Sequence, residues 1–339
     1  MRALLLGLLL LVPALSAPAS RADVPADLLR TYQPVLYFHP EEDWAPTRPE
    51  TFLATARLER QVAQGTWAAA PLPLPSSNAG CIFTPCYRLD LPCALRGGDA
   101  CYERLAATTT DWTKPVVYGR VVSVPPGSSP APGFTTAPRY LVRYWLFYLF
   151  DDWHSAHRRL WQTHEGDWES ITIGIDAGGL PQFAAYSQHC TGSLRAWGAV
   201  EKRAGTHPVA YVALGSHAND FTNTSSSTRF TECLKKSLVA STATKAARLA
   251  RLAQDRVTDR TGKAHPLGPA GMTGTTPTEL VQLDTATSWA RFPGRWSEGQ
   301  ILWLGSVPRS VTTVSQGLGP ATPRWTSTSI SSLWHTGSS

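Results

Sequence analysis

The stretch at 139–150, RYLVRYWLFYLF, constrains the fold more than any other part of the chain. Apart from Arg139 and Arg143 it is apolar on both parities, so an extended strand here has no face to offer to water. The density of Tyr, Trp, Phe and Val favours a strand over a helix. Such a strand belongs in the middle of a sheet that is covered on both sides, which predicts a layered β architecture.

Further strand signals fit that frame. The runs at 34–38, 116–124, 168–175, 182–188 and 209–214 are short, β-branched or aromatic, and bounded by Gly, Pro, Asp or Ser. The DAGG at 176–179 is a hairpin signal between two of them. One helix is expected at about 232–257, where Ala, Leu, Lys and Arg dominate and Leu234, Leu238, Leu249 and Leu252 form a stripe. The expected fold is a mostly β sandwich of antiparallel strands with long loops and that single peripheral helix. Residues 23–319 read as one domain, with 258–278 a long loop and 320–339 a disordered Ser/Thr-rich tail.

The N-terminus sets the expected compartment. Arg2 precedes an apolar run of about ten residues, short of the roughly 20 that span a bilayer, and small residues follow. Residues 1–22 therefore read as a secretory signal peptide, and the mature chain as secreted or periplasmic. No later apolar run is long enough for a transmembrane segment. Removing 1–22 takes away Arg2 and Arg21 and lowers the formal charge of +6 by two. Basic pairs such as Arg158-Arg159 and Lys235-Lys236 are scattered, so no stripe for a nucleic-acid backbone exists and no nucleic-acid partner is expected.

Six cysteines in an exported chain are most simply three disulfides, for which fifteen pairings exist. The favoured set joins Cys81 to Cys86, Cys93 to Cys101 and Cys190 to Cys233, which makes 76–105 a disulfide-bearing loop region. A zinc site built from the four clustered cysteines competes, but their spacings lack the CxxC knuckles that such sites prefer.

The strongest chemical signature is HEGDWE, His164 to Glu169. Strand alternation places Glu169 on the face of Ile171, Ile173 and Ile175, with Asp167 and Glu165 continuing that row at about 6.6 Å per alternate step. Carboxylates heading an apolar face repel one another and resist ionisation unless a cation compensates. His164 has the opposite parity, and Gly166 is the residue that permits a bulge or turn bringing it round. One nitrogen with several oxygens suits a divalent cation, with calcium, magnesium, manganese and zinc undistinguished. The competing reading is an ion-pair network with Arg143, Arg158 or Arg159.

Four segments, YQPVLYFHPEEDW (32–44), HEGDWESITIGI (164–175), YSQHCTG (186–192) and THPVAYVALGSHANDF (206–221), resemble the vacuolar protein sorting-associated protein 62 family in order and spacing. The resemblance runs from about residue 30 to 305 and ends near WARFPGRWSE. It implies no defined biochemical activity. His189, His207 and His217 fall within these segments and are candidates to line one cleft, as is Asp220.

HEGDWE is also similar to the GHRHDWE heptad of necrosis- and ethylene-inducing peptide-like proteins, which are secreted β-sandwiches. That resemblance implies a divalent cation serving membrane glycolipid recognition, with His164, Asp167 and Glu169 as ligands and Asp151 or Asp152 as the upstream one. The chain departs from the heptad in Gln162-Thr163 before His164 and in Glu165-Gly166 where the heptad has Arg-His.

Enzyme signatures are sparse. An HExxH zinc motif fails because Trp168 stands four residues after His164, and Ser216 in LGSHAN lacks the glycines of a nucleophile elbow. The leading expectation is a cation-dependent binder of a lipid headgroup or glycan. A metal-assisted hydrolase of an ester or glycan, using His189 or His217 as acid/base, and a structural envelope protein are the alternatives.

Overall fold

The computed structural model describes residues 24–82, 86–93, 99–154, 160–188, 191–224, 265–284, 287–297, 301–304 and 307–310. Its helices are α1 (Val24–Thr31), α2 (Pro49–Leu53) and α3 (Asp99–Thr109). Its strands are β1 (Val35–Phe38), β2 (Arg57–Ala63), β3 (Thr66–Ala69), β4 (Tyr87–Asp90), β5 (Val116–Ser123), β6 (Tyr140–His154), β7 (Leu160–Ile175), β8 (Pro181–Gln188), β9 (Thr191–Ala196), β10 (Lys202–Arg203), β11 (His207–Val212), β12 (Asn219–Asp220), β13 (His265–Gly268), β14 (Thr276–Pro277), β15 (Glu279–Gln282), β16 (Ile301–Leu304) and β17 (Val307–Ser310).

The aromatic run at 139–150 becomes most of β6, and every side chain from Leu141 to Phe150 is buried. β6 pairs antiparallel with β7 from Tyr140↔Ile175 to His154↔Trp161. Around this hairpin an eight-stranded sheet runs in the order β15-β5-β6-β7-β16-β17, with β8 also on β7 and β9 on β8. A six-stranded sheet of order β10-β11-β1-β13-β14, with β12 on β11, packs against one face. Phe38 and Tyr148 meet with ring centroids 6.3 Å apart, and the Tyr186 hydroxyl donates to the Val209 carbonyl at 2.9 Å. The other face is closed by α2 and the 287–297 segment, where Phe147 meets Phe52, Trp168 and Trp296. A small β3-β2-β4 sheet is tied to that segment by Leu89 N–H to Arg295 carbonyl and Arg295 N–H to Tyr87 carbonyl.

The architecture is the mostly β, layered one expected. Three strand pairs are parallel, however: β1 with β11, β5 with β15 and β13 with β14. Parallel neighbours cannot be joined by a tight turn, and the β1–β11 and β5–β15 partners lie far apart in the chain, so those two pairings cannot be read from adjacent segments. The 176–179 hairpin is present, closed by Asp176 Oδ1 accepting from Leu180 N–H at 2.8 Å. β7 begins eight residues before the expected 168, so HEGDWE lies within the strand and not at its entrance.

The three α-helices among the described residues correct the expectation of a single one. α2 starts with Pro49, whose missing N–H is harmless in a first helical turn. α3 starts inside the 76–105 region expected to be a loop and runs past its end, and β4 lies wholly within it. The supposed loop at 258–278 carries β13 and β14. Disulfides Cys81–Cys86 and Cys93–Cys101 are both formed, which disposes of a zinc site at these four residues. Cys190, Cys233, the 1–22 leader, the 232–257 helix and the 320–339 tail lie outside the described residues. Among the described residues, no helix is long and apolar enough to cross a membrane.

Phe147 is fully buried between α2 and the tryptophan cluster. Phe147→Ala should cost about 3–5 kcal/mol, read as a lower chemical-denaturation midpoint with an unchanged slope.

Candidate functional site

The site begins with the backbone at Gly166, which has φ +57°, in the left-handed region. A Cβ there would stand 2.5 Å from both Cβ and the carbonyl oxygen of Trp296. The register passes without a shift from Tyr148↔Asp167 to Phe150↔Glu165, so no residue is inserted. The turn at Gly166 instead breaks the alternation. His164 comes to the side of Asp167, as Gly166 made feasible. Glu165 does not join Asp167 and Glu169, against the simple parity expectation: its carboxylate accepts from the Tyr102 hydroxyl at 2.6 Å and from Leu91 N–H at 3.1 Å.

Asp151 stands directly across the hairpin from His164. Its Oδ2 is 3.2 Å from His164 Nε2, and Asp167 Oδ1 is 3.9 Å from the same nitrogen. Ligand atoms of Asp151, His164 and Asp167 all lie within 4.8 Å of one another, and all three residues are buried. The other His164 nitrogen, Nδ1, lies 3.1 Å from the Glu165 carbonyl, which fixes the ring. Asp152 is outside this group. It is half-buried, and its N–H donates to the Gly215 carbonyl at 3.0 Å.

A turn after β11 brings in His217, whose φ of +51° is unusual for a residue with a Cβ. Its Nδ1 is 2.9 Å from Asp167 Oδ2, and its Nε2 is 3.5 Å from Glu42 Oε1. The Tyr148 ring lies flat on the imidazole, with centroids 3.7 Å apart. Glu42 also fastens the turn by accepting from Gly215 N–H at 2.6 Å. Glu42 was missed as a site residue because nothing in its local pattern aims it at a segment 120 or more residues away. Its only signal was membership of the YQPVLYFHPEEDW segment.

Glu169 is two residues beyond Asp167, and its carboxyl receives the Ser187 hydroxyl. Next to Ser187, Gln188 donates to the Asn219 carbonyl at 2.9 Å and to Asp220 Oδ1 at 2.6 Å. Asp220 is thereby hydrogen-bonded to the residue that follows Ser187 on β8. His207 belongs elsewhere, with Nδ1 2.9 Å from the Gln33 carbonyl, and His189 lies outside the described residues. Arg143 does not serve the acids. It sits across from Arg120 and Thr172, and burial, with Arg120 adding to it, lowers its pKa to about 10. Arg158 and Arg159 lie outside the described residues.

Burial and mutual repulsion set the charge states. Burial raises the Asp151 pKa against the pull of His164, and burial with the Asp167 charge raises Glu169 well above the ordinary range. Burial alone would lower both histidines. The Asp151 charge and hydrogen bond, with Asp167 adding to them, instead raise His164 to about 9, and Glu42 with Asp167 raises His217 to about 10. Both imidazoles thus stand in for cations among the carboxylates. One nitrogen and two carboxylates at these spacings could hold a metal ion, whose ligands must lose their protons to bind it.

No family model matches the chain, so the vacuolar protein sorting-associated protein 62 resemblance stands on its four segments alone. No curated protein matches either. Among solved structures the chain is similar to necrosis and ethylene inducing protein 2 from the causal agent of cocoa's witches' broom disease. The identity is 17%, over 62% of this chain and 72% of that one, with a TM-score of 0.29.

Gly166→Ala should destabilise by about 2–4 kcal/mol, because a left-handed alanine adds to overpacking against Trp296. An unchanged unfolding midpoint would remove the turn from its central place. The pH dependence of the metal-free chain follows from the histidines. Their folded pKa values, about 9 and about 10, exceed the ordinary 6.5, so their stabilisation is complete below 6.5 and lost as pH rises through the folded values. The raised carboxyls act in the same direction. Thermal midpoints measured in chelator should therefore fall steadily from about pH 6.5 to about pH 10.

Proposed function

We propose that this chain binds one divalent cation through Asp151, His164 and Asp167, with Glu169 alongside, and uses it to shape a surface that recognises a lipid headgroup or glycan outside the cell. The observation that carries the reading is the buried Asp151, His164 and Asp167 group, with its ligand atoms within 4.8 Å of one another. Opposed ligands at about 2.4 Å from a calcium ion would be about 4.8 Å apart, and those of a smaller ion somewhat closer. Both are compatible with that spread. A cation would also relieve the repulsion that burial imposes on Asp151 and Glu169.

The depth of the site defines what the ion does. The three donors are at most 7% exposed, so a bulky ligand cannot reach the ion directly. Its effect is to clamp β6 to β7 and, through Asp167, to hold the His217 turn in place. Recognition then belongs to the ordered surface above. A hydrolase gains nothing from His217, whose two ring nitrogens already face Asp167 and Glu42.

Elemental analysis of the purified chain should find close to one equivalent of a divalent metal, and Asp167→Ala or Asp151→Ala should lower affinity by about 100-fold or more, since losing a ligand exceeds losing its support. Added cation should raise the wild-type thermal midpoint and leave both variants unmoved. Sub-stoichiometric metal in the wild type, with no cation-dependent shift, would refute the reading.

A further inference from the structure

Glu165 is a carboxylate within the metal-like motif that has been turned away from it, and its environment is built in detail. It is fully buried. Its Oε1 takes the Tyr102 hydroxyl at 2.6 Å and its Oε2 takes Leu91 N–H at 3.1 Å, so both oxygens are engaged. Leu91 and Tyr102 flank opposite ends of one disulfide-closed loop. Cys93 is two residues after Leu91, Cys101 is one residue before Tyr102, and the two cysteines are bonded. The Cys93 carbonyl is also 3.0 Å from the Tyr102 hydroxyl, which ties the ring back to the loop.

The same tyrosine grips the partner strand. Its ring stacks on Phe150, with centroids 3.8 Å apart and planes 12° from parallel. Phe150 is the residue directly across the hairpin from Glu165. It immediately precedes Asp151, just as Glu165 immediately follows His164. One side chain thus holds the pair of residues adjoining the Asp151 and His164 pair, one through a hydrogen bond and one through ring stacking. On the other flank, Trp296 blocks any side chain at position 166, and Glu165 N–H reaches Ser297 Oγ at 3.4 Å.

From this geometry we propose that Tyr102 and Glu165 are positioning residues for the cation site, and that the Cys93–Cys101 disulfide loop sets its geometry from the far side of the hairpin. The inference rests on the cation-binding reading above. The physical reason is that a buried carboxylate deprived of its donors must find others, and the backbone of Glu165 also carries the carbonyl that lies against His164 Nδ1. Moving Glu165 moves His164. Leu91 and Tyr102, linked through the Cys93–Cys101 bond, thus convert the freedom that Gly166 allows into one fixed arrangement.

The experiment measures Mn²⁺ affinity by titration calorimetry on the wild type and on Tyr102→Phe, Glu165→Ala, Glu165→Gln and the Cys93→Ser/Cys101→Ser pair. Each is held at a temperature where its near-ultraviolet circular dichroism is that of the folded chain. Tyr102→Phe, Glu165→Ala and the cysteine pair should each raise Kd by about tenfold or more, the scale of losing a group that orients a ligand. Glu165→Gln should stay within about threefold of the wild type, because an amide can accept from Leu91 N–H and donate to the Tyr102 oxygen while that hydroxyl donates to Cys93. A merely structural role would lower the metal-free thermal midpoint in every variant and leave Kd of the folded chain unmoved. That outcome overturns the inference while leaving the cation reading intact. Equal losses in Glu165→Gln and Glu165→Ala would also overturn it, because the charge rather than the grip would then matter. A wild type that takes up no Mn²⁺, Ca²⁺, Mg²⁺ or Zn²⁺ overturns the cation reading and this inference together.

Discussion

The long pairing of β6 with β7 is the constraint on which the rest of the molecule depends. It supplies the centre of the main sheet, and it presents Asp151 and His164 directly across from each other. At Gly166 the same hairpin contains a left-handed residue pressed against Trp296. A continuous ladder through that point would send His164 and Asp167 to opposite faces. The glycine lets the backbone keep its register while changing which side chains share a face, a change that would be strained for any residue with a Cβ.

Polar groups then accumulate at the place where the apolar sandwich is interrupted. Above Asp167, towards Ile171 and Ile173, the hairpin is packed by hydrocarbon and aromatic rings. Below it lie Asp151, His164, Glu42 and His217, all buried and all in contact with another charged group. Burial makes each isolated charge unfavourable, and only their mutual neutralisation makes the cluster tolerable. In the metal-free chain this neutralisation comes from two imidazoles kept protonated well above their usual range. The cluster is therefore both an electrostatic liability and a ready set of donors, and these two properties make a cation its natural complement.

Much of this was legible in the strands. The all-apolar parity of 139–150 identified the central strand, since only a strand covered on both faces tolerates it. HEGDWE stood out because carboxylates rarely head an apolar row without compensation. The close pairs Cys81–Cys86 and Cys93–Cys101 were accessible through compartment chemistry and short separation. The short helices escaped notice: α2 has only five residues, and α3 carries no strong apolar stripe within a cysteine-rich stretch. Glu165 was misassigned because strict alternation holds only while every residue keeps β geometry, and Gly166 does not.

By itself, the sequence determined the two-faced burial of the central strand, the residue types available for a cation and the one position free to turn. These are local properties, fixed by side-chain chemistry and by the lack of a Cβ at Gly166. Only the tertiary structure decided which acids meet. His217 reaches Asp167, and Glu42 reaches His217, from segments far away in the chain, and Asp151 rather than Asp152 faces His164. Glu165 is drawn to Tyr102 on α3. Such choices depend on which segments the two sheets bring together, and a sheet built partly from parallel, sequence-distant strands does not encode those neighbours in any local pattern.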